Sequence, residues 1–140
     1  MQPLNLLKGK KILFGVLRHE LIHAMIDGSG KGKIPKWFNE SFAIYVSGEL
    51  NRVKKEVPIK FKTIGELEAL INSKDYRIIA TSYYYLGLTM QFLVQQYGEE
   101  KIKSLLAIGK TDNFENSFKP ILGEAYEAVE KKIISSLAKF

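Results

Sequence analysis

Residues 78–97 contain no charged side chain. A segment that long without charge has two physical solutions: it crosses a membrane, or it runs through a protein core. Its polar content decides between them. Thr81, Ser82, Thr89, Gln91, Gln95, Gln96 and four tyrosines are a poor set for a helix embedded in hydrocarbon. A long helix over residues 82–97, closed by Gly98, is therefore expected inside the fold. The other apolar stretch, residues 12–17, follows Lys8, Lys10 and Lys11 and is cut off by Arg18, His19 and Glu20. It is too short to span and has no small-residue cleavage site, so neither a membrane span nor a signal peptide is expected in these residues.

The remaining pattern is mostly helical, with no internal repeat. A helix over residues 11–27 stops at Gly28 and Gly30, and its apolar residues surround the axis, which predicts a central position. A glycine-rich loop leads to Pro35, expected as the first residue of a helix ending at Gly48. Residues 51–62 are basic and irregular. Thr63-Ile64-Gly65-Glu66 reads as a capping box opening a short helix to about Ile71. Helices over 99–108, 113–122 and 124–139, punctuated by Gly109 and Gly123, complete the chain. Residues 11–16 and 57–61 are the strand candidates, and neither is firm. A single mostly α domain over residues 1–140 is expected.

Composition narrows the chemistry. The absence of cysteine excludes a disulfide scaffold, thiolate zinc fingers, iron–sulfur clusters and cysteine catalysis. Lys and Arg number 21 against 15 Asp and Glu, a net charge of +6. The excess is scattered in pairs such as Lys10-Lys11, Lys54-Lys55 and Lys131-Lys132, which reads as solvated surface. Arg18, Arg52 and Arg77 are the only arginines, so an arginine-rich recognition helix is missing and nucleic acid is not an expected partner.

Both histidines of the chain stand in one pentapeptide, His19-Glu20-Leu21-Ile22-His23. Residues four apart on a helix stack on one face, so both imidazoles can reach one tetrahedral metal ion. Glu20 flanks that position and can take a proton from bound water. A catalytic zinc takes three protein ligands and leaves a fourth position for water. With no cysteine and no third histidine, the third ligand must be a carboxylate. Glu40 fits: it is the only charged residue between Trp37 and Gly48, with Trp37, Ala43 and Ile44 three or four positions away. A buried carboxylate is costly unless compensated, and a dication removes that cost. The glycine loop lets the Glu40 helix fold back against the histidine helix. One zinc per chain, held by His19, His23 and Glu40, is the expected cofactor.

His19 to His23 followed after sixteen residues by Glu40, within Trp37-Phe38-Asn39-Glu40-Ser41-Phe42-Ala43-Ile44-Tyr45, resembles the gluzincin metallopeptidases. Asn39-Glu40-Ser41-Phe42-Ala43 is similar to the third-ligand helix of the aminopeptidase N-like enzymes. The closer likeness is to the small peptidase MA-like domains of bacteria and archaea, whose second half also has a tyrosine-led helix ending in Tyr-Gly before Glu-Glu-Lys. Here that is Tyr83 through Tyr97-Gly98-Glu99-Glu100-Lys101. The likeness covers about residues 16–135, and its first half is the specific one. It implies the helical, C-terminal half of a zincin-like catalytic domain, with little or no preceding sheet. It also implies zinc on His19, His23 and Glu40, Glu20 as general base, and a tyrosine stabilising the oxyanion. Counting back from Gly98 selects Tyr83, which is the favoured assignment; aligning Tyr-x-x-Gly with residues 84–87 selects Tyr84 as the alternative.

Two departures from that family shape the expectation. Only 18 residues precede His19, so most of the sheet whose edge strand pairs with substrate is missing. No Gly-x-Met-Glu-Asn stretch is present to grip a free α-amino group, so aminopeptidase activity is not expected. The leading expectation is a zinc metallopeptidase acting on peptide or protein substrates, its cleft completed by an N-terminal domain or a partner chain. The alternative is a metal-binding, non-hydrolytic domain with a structural or regulatory role. A basic nucleic-acid-binding module is the third reading, and it rests on charge alone.

Overall fold

In the computed structural model the described residues are 34–109 and 113–140. The expected helix over residues 11–27, the glycine loop, the strand candidate at 11–16, and His19, Glu20 and His23 all lie outside them. Six α-helices are described: α1 (Lys36–Ser47), α2 (Ile64–Leu70), α3 (Tyr76–Tyr97), α4 (Glu99–Gly109), α5 (Phe118–Leu122) and α6 (Tyr126–Leu137). The fold is mostly helical, and among the described residues no strand forms. The candidate at 57–61 is an irregular segment.

The charge-free segment becomes the central helix. α3 packs against α1, α2, α4 and α6, and residues 85 to 90 are buried in succession, so it is enclosed on all sides. Leu86, Met90 and Leu93 are fully buried, each contributing roughly 1.5–3 kcal/mol of apolar transfer. Its hydroxyls are accommodated by bonding back one turn. Thr81 Oγ1 donates to the Arg77 carbonyl (2.8 Å), Ser82 Oγ to Ile78 (2.7 Å) and Thr89 Oγ1 to Tyr85 (2.8 Å). Thus a polar-looking segment satisfies itself in the core. No helix among the described residues is long and apolar enough to cross a membrane.

α3 begins six residues before the expected position, at Tyr76. Asp75 is the reason: its Oδ1 accepts from the Arg77 backbone N–H (2.9 Å) and supplies the start signal. The Thr63 cap forms as expected, with Oγ1 accepting from Glu66 N–H (3.1 Å); Glu66 in return accepts from Lys62 N–H at Oε1 and from the Thr63 hydroxyl at Oε2 (3.4 Å), not from the Thr63 N–H. Residues 113–122 do not form one helix. A 3-10 turn at Glu115–Ser117 precedes α5, because Pro120 has no N–H to give the Asn116 carbonyl, and Asn113 Oδ1 takes the Asn116 N–H (3.1 Å). The last helix is shorter than expected, Tyr126–Leu137, after Gly123 turns the chain at φ 85°.

An aromatic run ties α1 to the C-terminal helices. Phe38 meets Phe114 at 4.7 Å between ring centroids, Phe114 meets Phe118 at 5.2 Å, and Phe118 meets Tyr126 at 5.1 Å, all edge to face. Trp37 joins through Phe38 at 5.4 Å.

Candidate metal centre

α1 carries Glu40, and its own sequence explains where it starts and stops. Pro35 stands at the N-cap, with no side-chain cap bond there, and Gly48 closes the helix in the left-handed region at φ 79°. The α1 N-terminus is held from α2: Trp37 N–H donates to Glu68 Oε2 (3.0 Å), a carboxylate on the positive end of a helix. Glu68 is a residue the sequence reading passed over. Its spacing within α2 reveals nothing of a partner 31 positions earlier.

Glu40 is half-buried on α1, as are Asn39, Phe42, Tyr45 and Val46. Its neighbours at three, four and seven positions, Ala43, Ile44 and Ser47, are all buried, whereas Glu40 itself is half-buried. The carboxylate thus sits at the margin of an apolar stripe rather than wholly within it. Lys36, one turn before Glu40, donates from Nζ to Asn72 Oδ1 (3.4 Å), so that contact takes its ammonium toward the end of α2. Ser41, next in sequence to Glu40, is fully buried, and its Oγ has no hydrogen-bond partner among the described residues. Glu49, just beyond Gly48, is half-buried and accepts from Ser47 Oγ (3.0 Å).

The same stripe leads to the tyrosines. Ile44, one turn beyond Glu40, faces Gly87 of α3: a Cβ at position 87 would stand 3.1 Å from Ile44 Cγ2 and 2.6 Å from Leu50 Cδ1. Tyr83 precedes Gly87 by four residues and Tyr84 by three, so both belong to the α3 stripe that approaches α1. Glu40 and the two tyrosines each lie within about 6 Å, one helical turn, of this crossing measured along their own axes. Both tyrosines are half-buried, and Tyr84 packs edge to face on Tyr85 at 5.5 Å. Glu40 stands one turn before the crossing on α1, and Tyr83 and Tyr84 one turn before it on α3; the crossing does not choose between the tyrosines.

A glutamate carboxylate is a donor for a hard or borderline dication, and the two imidazoles expected to complete the set, His19 and His23, lie outside the described residues. Among the described residues no group of three or more His, Cys, Asp or Glu side chains gathers; both histidines stand outside them.

The perturbed titrating groups lie elsewhere. Lys132 Nζ (2.6 Å) and Tyr97 Oη (3.0 Å) donate to Glu124 Oε1, and these bonds hold the Glu124 carboxyl below its ordinary range. Burial, and then the Glu124 carboxylate, push the Tyr97 phenol up to about 12. Burial, with Glu130 and Glu115 nearby, raises Tyr126 as well. These groups bind α3, α6 and the turn between α5 and α6 together.

Comparison of the chain with protein-family models, with curated proteins and with solved structures finds no match.

Proposed function

We propose that this chain is a zinc-dependent peptidase of the gluzincin type, with His19, His23 and Glu40 as metal ligands. The observation that carries the reading is the place of Glu40. It is the one acidic residue of α1, it follows His23 after sixteen residues, and its helical neighbours are buried.

A bound zinc ion supplies a Lewis acid that polarises the scissile carbonyl and lowers the pKa of water. Glu20 acts as general base on the attacking water and returns the proton to the leaving amine. The hydroxyl of Tyr83 donates to the oxyanion that develops on the carbonyl oxygen. An extended substrate needs backbone pairing, which an N-terminal segment or a partner chain provides in this reading.

The test is metal content followed by activity. Protein purified without chelator should hold about one zinc per chain, and His19→Ala, His23→Ala and Glu40→Ala should each sharply reduce it. Glu20→Gln should keep the metal and abolish cleavage of an unfolded protein such as casein. Loss of zinc from Glu20→Gln as severe as from His23→Ala would overturn the assignment of roles. Zinc retained without any Glu20-dependent cleavage, by this chain alone and with a strand-supplying N-terminal segment or partner present, would assign the chain to the metal-binding, non-hydrolytic alternative.

A further inference from the structure

A cleft of about 590 Å³ opens on the side of α3 that carries Tyr85, between the irregular segment after α1 and the C-terminal end of α6. Its wall is fixed by one hydroxyl. Thr81 Oγ1 accepts from both Glu56 N–H (2.9 Å) and Val57 N–H (3.1 Å), pinning that segment across α3. Phe61, Tyr85, Ile134 and Leu137 make an apolar floor, and Phe61 packs edge to face on Tyr85 at 5.3 Å. Around it stand Lys55, Lys60, Lys62 and Lys139, and no acidic side chain lines the cleft.

None of these four lysines forms an ion pair among the described residues. Other lysines do find carboxylates: Lys103 meets Glu99 at 3.5 Å, and Lys132 meets Glu124. Four exposed ammonium groups rim one concavity, and an anionic partner there gains attraction from all of them. Lys55 reaches across the opening, with Nζ 2.9 Å from the Phe140 carbonyl and 5.9 Å from the Tyr85 ring centre.

We propose that this cleft docks an acidic polypeptide segment, one that places an apolar side chain on the Phe61–Leu137 floor and carboxylates on the lysine rim. The floor favours a peptide over a nucleic acid. Tyr85 is only 5% exposed, its edge is taken by Phe61 and its face by Lys55, so no open aromatic platform is left for a base. No arginine lines the site to grip phosphate in bidentate fashion. The volume is that of a small-ligand or side-chain pocket, enough for one anchor and its neighbours. The inference is independent of the peptidase reading, since no lining residue belongs to the proposed metal site.

The experiment is a fluorescence-anisotropy titration of the full chain with a labelled Glu-Glu-Leu-Glu-Glu peptide, at low and physiological salt. Binding should weaken at least tenfold in the double variant Lys60→Glu/Lys62→Glu. It should change less than twofold in Lys101→Glu/Lys119→Glu, which removes the same charge from exposed positions elsewhere, with helicity by circular dichroism equal in all three proteins. A Glu-Glu-Gly-Glu-Glu peptide should bind more weakly, because the floor loses its anchor. Equal weakening in both double variants would reduce the effect to net charge and overturn the proposal. So would tighter, Lys60- and Lys62-dependent binding of single-stranded oligonucleotide, or no binding of the leucine peptide.

Discussion

Ile44 and Gly87 meet where α1 crosses α3, so closely that a Cβ at position 87 would stand 3.1 Å from Ile44 Cγ2. Glycine there is a requirement of close approach, not of backbone conformation, because position 87 is ordinary helix. Gly87→Val should therefore destabilise the protein by about 2 kcal/mol through overpacking, read as a shift in urea midpoint. Gly87→Ala should cost much less. Its gain in helix propensity of about 1 kcal/mol offsets the displacement of the Leu50 methyl. A Gly87→Val protein as stable as the parent would mean that the two helices do not approach here.

Thr81 closes two backbone donors with one oxygen. Thr81→Val keeps the shape but strands the N–H groups of Glu56 and Val57, at an expected cost of about 1–3 kcal/mol. Amide hydrogen exchange at those two positions should accelerate in the valine variant, and Thr81→Ser should restore protection. Unchanged exchange would show that the segment is held by other contacts.

The Glu124 cluster gives a pH signature. Its folded carboxyl titrates below the ordinary value of 4.5, with the Lys132 bond as the chief cause and the Tyr97 bond next. On acidification the unfolded chain takes up the proton first, so the contribution is complete at neutral pH and is lost as pH falls through the folded value. Glu124→Gln should lower the melting temperature at pH 7, and the gap to the parent should close as pH falls below the carboxylate range. On the alkaline side Tyr97, pushed up to about 12, should keep its proton after ordinary phenols have lost theirs. A gap that persists undiminished in acid would place the stabilisation outside this carboxylate.

Under the peptidase reading, complete removal of zinc by a chelator should lower the melting temperature by several degrees, and re-addition should restore it. A melting temperature that ignores verified metal removal would count against ligands set in the fold.

Tyr83→Phe should reduce kcat by about a hundredfold with zinc content unchanged, the loss of one oxyanion donor, whereas Tyr84→Phe should stay near the parent. The reverse pattern would move the role to Tyr84.

The sequence by itself determined the elements whose signals are local. The charge-free run at 78–97 could only be a core helix or a span; the cap at Thr63 and the stop at Gly48 depend on neighbouring residues alone. It also set out the chemistry offered by His19, Glu20, His23 and Glu40, since donor type and helical spacing are properties of the chain. Local signals misjudged the start of α3 and the 3-10 turn before α5, where a single cap or the missing N–H of Pro120 outweighed the apolar pattern. Tertiary structure alone decided which face of α1 is buried around Glu40, that Glu68 caps α1, that Thr81 pins residues 56 and 57, and that four separate lysines share one cleft. Those contacts join residues 24 to 85 positions apart, and no local propensity encodes them. They follow only once helices pack and each buried donor and each exposed charge settles where the remaining chain leaves room.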